Sequence, residues 1–359
     1  DNKSGIWIDK ENKKISKNKN QNFKSYKSDN INFVESEIEN TNFEFKKSKR
    51  IQNKSWKENN YDFDNNFINH SLKNEFQKIY KTKKISKHKI NHNILVNKNF
   101  VILATISGDI IVYSLKENNR SFKFNFYKKR FKKIEKKIQL YLSENFIYAA
   151  DNLGYAYSIN LKSGKLVWAK NYKIPFRSNI KIENDNIFLI NQNNVFFVLN
   201  KNDGSVKNTI ATEETVLNNK FESSIAIGKE NIFFLNTFGS LYSLSKKDND
   251  INWFLNLNRS NQSIIRSIFQ SKDIIYQKNN ILVPTNEKIY SINSNLGKIN
   301  WELPMKIKTK PIIITNTIYF ISEKNFLVCL NEKNGKIIYS KNILNKLNKN
   351  IKIKKFIVN

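Results

Sequence analysis

Residues 157–168 read Tyr157-Ser158-Ile159-Asn160-Leu161-Lys162-Ser163-Gly164-Lys165-Leu166-Val167-Trp168. An alternating strand runs into a polar tetrad, Gly164 supplies a turn position of positive φ, and a second strand ends on a large aromatic. This is a β-hairpin, and it comes back. Residues 242–253 (Y-S-L-S-K-K-D-N-D-I-N-W) and 290–301 (Y-S-I-N-S-N-L-G-K-I-N-W) repeat it without a gap. Residues 328–339 (V-C-L-N-E-K-N-G-K-I-I-Y) and 197–208 (F-V-L-N-K-N-D-G-S-V-K-N) repeat it with substitutions, and 113–124 (Y-S-L-K-E-N-N-R-S-F-K-F) is a degenerate copy. Successive starts lie 38 to 48 residues apart, the period of a repeat architecture.

Upstream of each hairpin lie two more short β-rich runs, for example 139–142 and 145–150 ahead of Tyr157. Four strands per repeat without helical periodicity make one propeller blade. The expected fold is therefore all-β, a β-propeller with six full blades in view, at about 90–129, 137–173, 178–214, 220–258, 265–305 and 309–344. The aromatics that end the outer strands, Trp168, Trp253, Trp301 and Tyr339, are expected to dock each blade on its neighbour. Residues 351–359 (I-K-I-K-K-F-I-V-N) read as the first strand of another blade, so seven or eight blades are expected in the complete chain. Residues 77–85 are similar to the outer strand at 336–343, and an N-terminal strand of that kind would close the propeller and cover two sheet edges. Ahead of the propeller, taken as 75–359, residues 1–74 read as a polar tether, largely disordered, with short ordered pieces around Trp7 and Trp56.

Composition narrows the function classes. The 359 residues carry 62 Lys+Arg against 31 Asp+Glu, a formal charge of +31. Nucleic acid is not the first reading, because Lys, Asn and Ile rise together along the whole chain, as AT-rich codons dictate. One local run stands out at 128–137 (K-K-R-F-K-K-I-E-K-K). It reads as a solvated loop, with contact to anionic lipid headgroups as the second reading. The single cysteine, Cys329, rules out an intrachain disulfide and reads as a small buried apolar residue. His70, His88 and His92 are the only histidines and do not make a zinc pattern. No phosphate loop and no nucleophile elbow occurs, and the pair Glu213-Glu214 reads as solvated. No apolar run reaches 18 residues. A chain that begins at Asp1 without a leader is expected to be a mature or trimmed form.

The recurrent Y-S-I-N-x-x-x-G-K-φ-x-W resembles the hairpin of the PQQ-like propeller superfamily. Its enzyme branch, the quinoprotein dehydrogenases, holds a pyrroloquinoline quinone at the centre with a vicinal disulfide, calcium ligands and an Asp base. One cysteine does not make that disulfide, and no cofactor is expected. The binding branch is the BamB-type lipoprotein family of the outer-membrane β-barrel assembly machinery, which 75–359 resembles more. That resemblance implies a non-enzymatic scaffold at the periplasmic face of the outer membrane, anchored by a lipidated Cys upstream of Asp1. It implies the barrel-forming subunit as partner, and nascent outer-membrane proteins as a further one. It also implies a site: two turns that precede the first strands of consecutive blades, one with an apolar residue and Arg, the next with acids. Phe176-Arg177 match the first and Glu222 the second, while Lys220 stands where the family has another acid. The alternatives left open are a PQQ-like propeller for another envelope protein or ligand, and a dehydrogenase.

Overall fold

The computed structural model describes residues 35–344, apart from 41, 46–47, 53–54, 68, 72–80, 83, 144, 214–220 and 259–268. Among them six four-stranded antiparallel sheets follow one another, each built from strands consecutive in the chain. The first sheet holds β1 (Ile90–Val96), β2 (Phe100–Thr105), β3 (Ile110–Ser114) and β4 (Asn119–Phe124). The second holds β5 (Ile138–Leu142), β6 (Phe146–Asp151), β7 (Tyr155–Asn160) and β8 (Leu166–Asn171). The third holds β9 (Lys181–Glu183), β10 (Asn186–Ile190), β11 (Val195–Asn200) and β12 (Val206–Ala211). The fourth holds β13 (Ser224–Ile227), β14 (Asn231–Leu235), β15 (Ser240–Ser245) and β16 (Ile251–Asn256). The fifth holds β17 (Ile275–Gln277), β18 (Asn280–Pro284), β19 (Ile289–Asn293) and β20 (Ile299–Leu303). The sixth holds β21 (Ile312–Ile314), β22 (Thr317–Ile321), β23 (Phe326–Asn331) and β24 (Ile337–Asn342). These are the six expected blades of an all-β propeller.

The core lies between blades. One buried cluster joins Leu95, Ile102 and Val112 of the first sheet to Leu140, Ala149 and Ile159 of the second. Another joins Phe188, Ile190 and Phe196 of the third to Ile225, Phe234 and Leu244 of the fourth. Sheets packed face to face bury both surfaces of their middle strands, which explains why β10, β14 and β18 carry runs of apolar residues without alternation.

The three hairpin tryptophans dock on the next blade in one way. Trp168, Trp253 and Trp301 donate their indole N–H to the backbone carbonyls of Lys201, Ser294 and Glu332, at 3.1, 3.0 and 2.8 Å. Their rings lie against Gly204, Gly297 and Gly335, so close that a Cβ on any of these glycines would meet ring carbon at 2.5 to 2.7 Å. Tyr339 takes the equivalent register position in β24, opposite Cys329. The repeat's Asn has a task as well: Asn160 and Asn293 each accept two backbone N–H groups of the following turn through Oδ1.

The degenerate first copy needs correction. Strand register places Phe122 opposite Val112, as Trp168 stands opposite Ser158, and the ring of Phe122 covers Gly164. The true copy is therefore 111–122, two residues upstream of 113–124. A slip of two keeps every side chain on its face, so alternation alone does not reveal it.

Of the proposed closing strand at 77–85, residues 81, 82, 84 and 85 are described and carry no strand, and the rest lie outside the described residues, as do 351–359. What pairs with the outer edge of the sixth sheet is Ile38, which exchanges both backbone hydrogen bonds with Ser340 of β24 at 2.9 and 3.0 Å.

Candidate functional site

In a four-stranded antiparallel blade, the link from a fourth strand to the next first strand leaves from the same end as the turn between the second and third strands. The links before β9 and β13 meet at that end. The Ser223 N–H donates to the Arg177 carbonyl at 2.7 Å, and Ser178 and Ser223 form a parallel bridge. Arg177 and Glu222 thus belong to adjacent turns; Arg177 is half-buried and Glu222 exposed. Phe176 differs. It is 5% exposed and lies against Tyr172 and Phe197, with ring centroids 5.3 and 5.7 Å away. Its ring fills the gap between blades and supports the turn from beneath. Phe221 does the same one blade on, 7% exposed and edge-on to Phe269.

Other links tie blades by polar contacts that composition does not announce. Tyr127 donates its hydroxyl to Asp151, which caps the turn after β6 by accepting the N–H groups of Leu153 and Tyr155. Two blades on, donor and acceptor are exchanged: Asn236 caps the turn and donates its amide to Glu213, which also accepts from Ser240 and Tyr242. Glu213 is thus an acceptor between blades while remaining exposed, and Glu214 lies outside the described residues. Burial pushes the hydroxyls of Tyr127 and Tyr157 far above the usual phenol range, so both stay neutral donors.

The short ordered piece expected around Trp56 extends over 55–67. This segment bonds to the first strand of every sheet, in chain order. The Trp56 N–H and C=O pair with Val96 in β1, and the Lys57 carbonyl accepts from Leu142 in β5. Glu58 takes the Lys181 ammonium of β9 at 2.8 Å, with side chains 3% and 0% exposed. The carbonyls of Phe63 and Asp64 accept from Ile227 in β13 and Tyr276 in β17. Asn66 closes the series, its amide donating to the Ile313 carbonyl at 3.0 Å and accepting the Ile313 N–H at 3.0 Å. Asn65, at φ 63°, donates to the carbonyls of both Ile225 and Ile274. First strands each leave one edge unpaired by their own sheet, and this segment supplies their partners.

Charge is concentrated there too. Burial raises the Glu58 carboxyl above its ordinary value against the opposing pull of Lys181, and burial raises Asp64 to about 6. Burial depresses Lys310 to about 8 although Asp273 lies 3.9 Å away. His70, one of the sequence's three histidines, stacks edge-on against Tyr61 at 4.3 Å, while His88 is exposed. No group of three His, Cys, Asp or Glu side chains among the described residues is placed to hold a metal ion. Cys329 is fully buried, its thiol pushed up by burial.

Residues 128–341 match the family model described as outer membrane protein assembly factor BamB. The chain belongs to this family. No curated protein sequence matches it. Among solved structures, BamB from Moraxella catarrhalis is similar with a TM-score of 0.58 at 12% identity, over 69% of this chain and 75% of that one. Quinohemoprotein alcohol dehydrogenase ADHIIG from Pseudomonas putida HK5 is similar with a TM-score of 0.57 at 8% identity, over 70% of this chain and 59% of that one. At such identities the likeness is one of fold. The BamB family and a dehydrogenase thus share this propeller, and local chemistry has to decide between them.

A central quinone does not fit the residues found here. The place where the first strands converge is taken by 55–67, with Glu58, Asn60, Asn65 and Asn66 all at most 5% exposed; Glu58, Asn65 and Asn66 bond to the strands and Asn60 to Asn65. Removing that segment would take from Lys181 its carboxylate partner and from the carbonyls of Ile274 and Ile313 the amides that donate to them.

Proposed function

We propose that this chain is a non-enzymatic scaffold subunit of an outer-membrane β-barrel assembly machinery, working at the periplasmic face of that membrane. It binds the periplasmic domains of the barrel-forming subunit through the adjacent turns that carry Arg177 and Glu222, and meets nascent outer-membrane proteins at the same machine. One observation carries the reading: the Ser223-to-Arg177 hydrogen bond brings two consecutive inter-blade turns together in a chain of the BamB family. Opposite charges on neighbouring turns suit a partner segment that offers a carboxylate to Arg177 and a cation to Glu222. Phe176 holds the Arg177 turn in place from inside. A lipid anchor upstream of Asp1 belongs to the same reading.

The test is co-purification of the barrel-forming subunit with Arg177→Glu. Loss of a central charged anchor is expected to cost about 2 kcal/mol or more, roughly thirtyfold in affinity. Thermal unfolding should stay within a degree or two of the parent, because a half-buried rim side chain contributes little to the core. Undiminished recovery of the subunit would remove Arg177 from the contact.

A further inference from the structure

The run 128–137 remains without a role in that reading. It forms the link between β4 and β5, at the same end of the sheets as the Arg177 turn. Lys128, Lys129, Arg130, Lys132, Lys133 and Lys137 are all exposed, and Glu135 is the one acid within the run. Among the described residues none of these six cations takes part in an ion pair. In their midst Ile134 is 44% exposed, and Phe131 lies half-buried under the Arg130 guanidinium at 4.7 Å.

The loop is preformed. A 3-10 turn spans Lys129–Phe131, and the N–H groups of Lys132 and Ile134 bond back to Lys129 and Phe131. Lys136, buried beneath, donates its ammonium to the Phe131 carbonyl at 2.5 Å and its N–H to Ile106 at 2.9 Å. Asn152 fixes the far side, donating to the Glu135 carbonyl and accepting from the Lys137 N–H. The cations and Ile134 are therefore displayed without an ordering cost at the moment of contact.

We infer that this loop is a contact site for an anionic lipid surface. Six unpaired cations around one outward aliphatic side chain match a headgroup layer, where phosphates meet the cations and the aliphatic group enters the acyl boundary. Single-stranded nucleic acid is the less favoured polyanion, since it calls for open aromatic faces on which bases stack, and the run's one aromatic, Phe131, is half-buried with Arg130 over its ring. The inference stands whether or not the assembly reading holds.

The experiment is flotation of the full chain with vesicles of phosphatidylglycerol and phosphatidylcholine, against pure phosphatidylcholine, at about 0.15 M salt, where surface charge is screened beyond ~8 Å. Because a chain of +31 is drawn to any anionic surface, two variants of equal charge change are compared. One is K129E/R130E/K132E/K133E; the other is K162E/K298E/K333E/K336E, exposed lysines on hairpin turns at the opposite end. The first should lose about tenfold or more in partitioning relative to the second, with both melting like the parent. Ile134→Ser should lower lipid partitioning severalfold while leaving retention on heparin unchanged. Equal losses in the two charge variants would overturn the proposal. So would lipid binding indifferent to Ile134→Ser, or a single-stranded DNA oligonucleotide bound more tightly than the vesicles through the same four residues.

Discussion

Lys181 and Glu58 form an ion pair of 2.8 Å between side chains that water does not reach, across 123 residues of chain. The same ammonium donates to the Asp62 carbonyl at 2.8 Å, so one strand residue holds both ends of a tight polar loop. A pair of this kind gains little over an apolar pair, yet breaking it leaves a buried charge alone. Lys181→Met should therefore lower stability by about 3–5 kcal/mol, and adding Glu58→Leu should restore at least half of the loss. Urea unfolding of the three chains measures this. A single variant within 1 kcal/mol of the parent would mean that Glu58 finds water once Lys181 is gone.

Asn66 works as a piece of strand backbone, offering one donor and one acceptor to Ile313 with its side chain. Asn66→Ala strands both buried peptide groups and is expected to cost about 2 kcal/mol. Asn66→Asp should be worse. It removes the donor and places a carboxylate against the Ile313 carbonyl. Equal unfolding midpoints for Ala and Asp would show that water enters beside Ile313.

Much of this fold was legible because a hairpin repeats its constraints locally: a capping Asn, a left-handed turn residue and an aromatic at fixed spacing. What the repeat could not show is contact between distant segments. The polar stretch 1–74 shows an ordered piece at Trp56 but not its role: the Asn, Asp and Glu of 55–67 are residues of solvated chain, and become structural only once six strand edges surround them. Phe176-Arg177 has the same letters whether the ring faces a partner or the core, and burial between blades decides it. Glu213 is exposed, as its sequence suggests, and only the fold shows that Asn236 and Tyr242 of the next sheet bond to it. Charge at 128–137 was visible at once, whereas the outward Ile134 among the cations needed the loop's geometry.

The glycine of the hairpin answers to the aromatic above it more than to the turn itself. Asn249 holds the equivalent position in the fourth blade at φ 65°, where Gly297 has φ 65° in the fifth. The residue that precedes Asn249's blade at the aromatic position is Asn208, which stands opposite Val198, so no indole covers that turn. Gly297→Asn should thus cost about 2 kcal/mol or more by displacing Trp253, whereas Asn249→Gly should stay within about 0.5 kcal/mol. Trp253→Ala, which also loses the bond to Ser294, should cost about 3 kcal/mol. Thermal unfolding of the three variants ranks them, and a cost for Asn249→Gly equal to that for Gly297→Asn would assign the penalty to backbone conformation alone.

Asp64 and Lys310 give the axial contacts a pH dependence of predictable sign. The folded chain raises Asp64 from 3.8 to about 6, so between about pH 4 and 6 it binds a proton that the unfolded chain has released. Stability from this group is present at the acid end and lost as pH rises through that window. Lys310 falls from 10.5 to about 8, so between about pH 8 and 10 the folded chain has released a proton that the unfolded chain keeps. Stability from Lys310 is therefore recovered as pH rises through that second window. Asp64→Asn keeps the side-chain oxygen that accepts from the Asn66 N–H and removes the titration. Its advantage over the parent should grow by about 2 kcal/mol from pH 4 to pH 6 and then level off. Lys310→Met should show its greatest gain over the parent below pH 8 and lose it towards pH 10. Urea midpoints followed from pH 4 to pH 10 test both, and an Asp64→Asn curve parallel to the parent's across the acid window would mean that the folded chain leaves Asp64 at its ordinary affinity for protons.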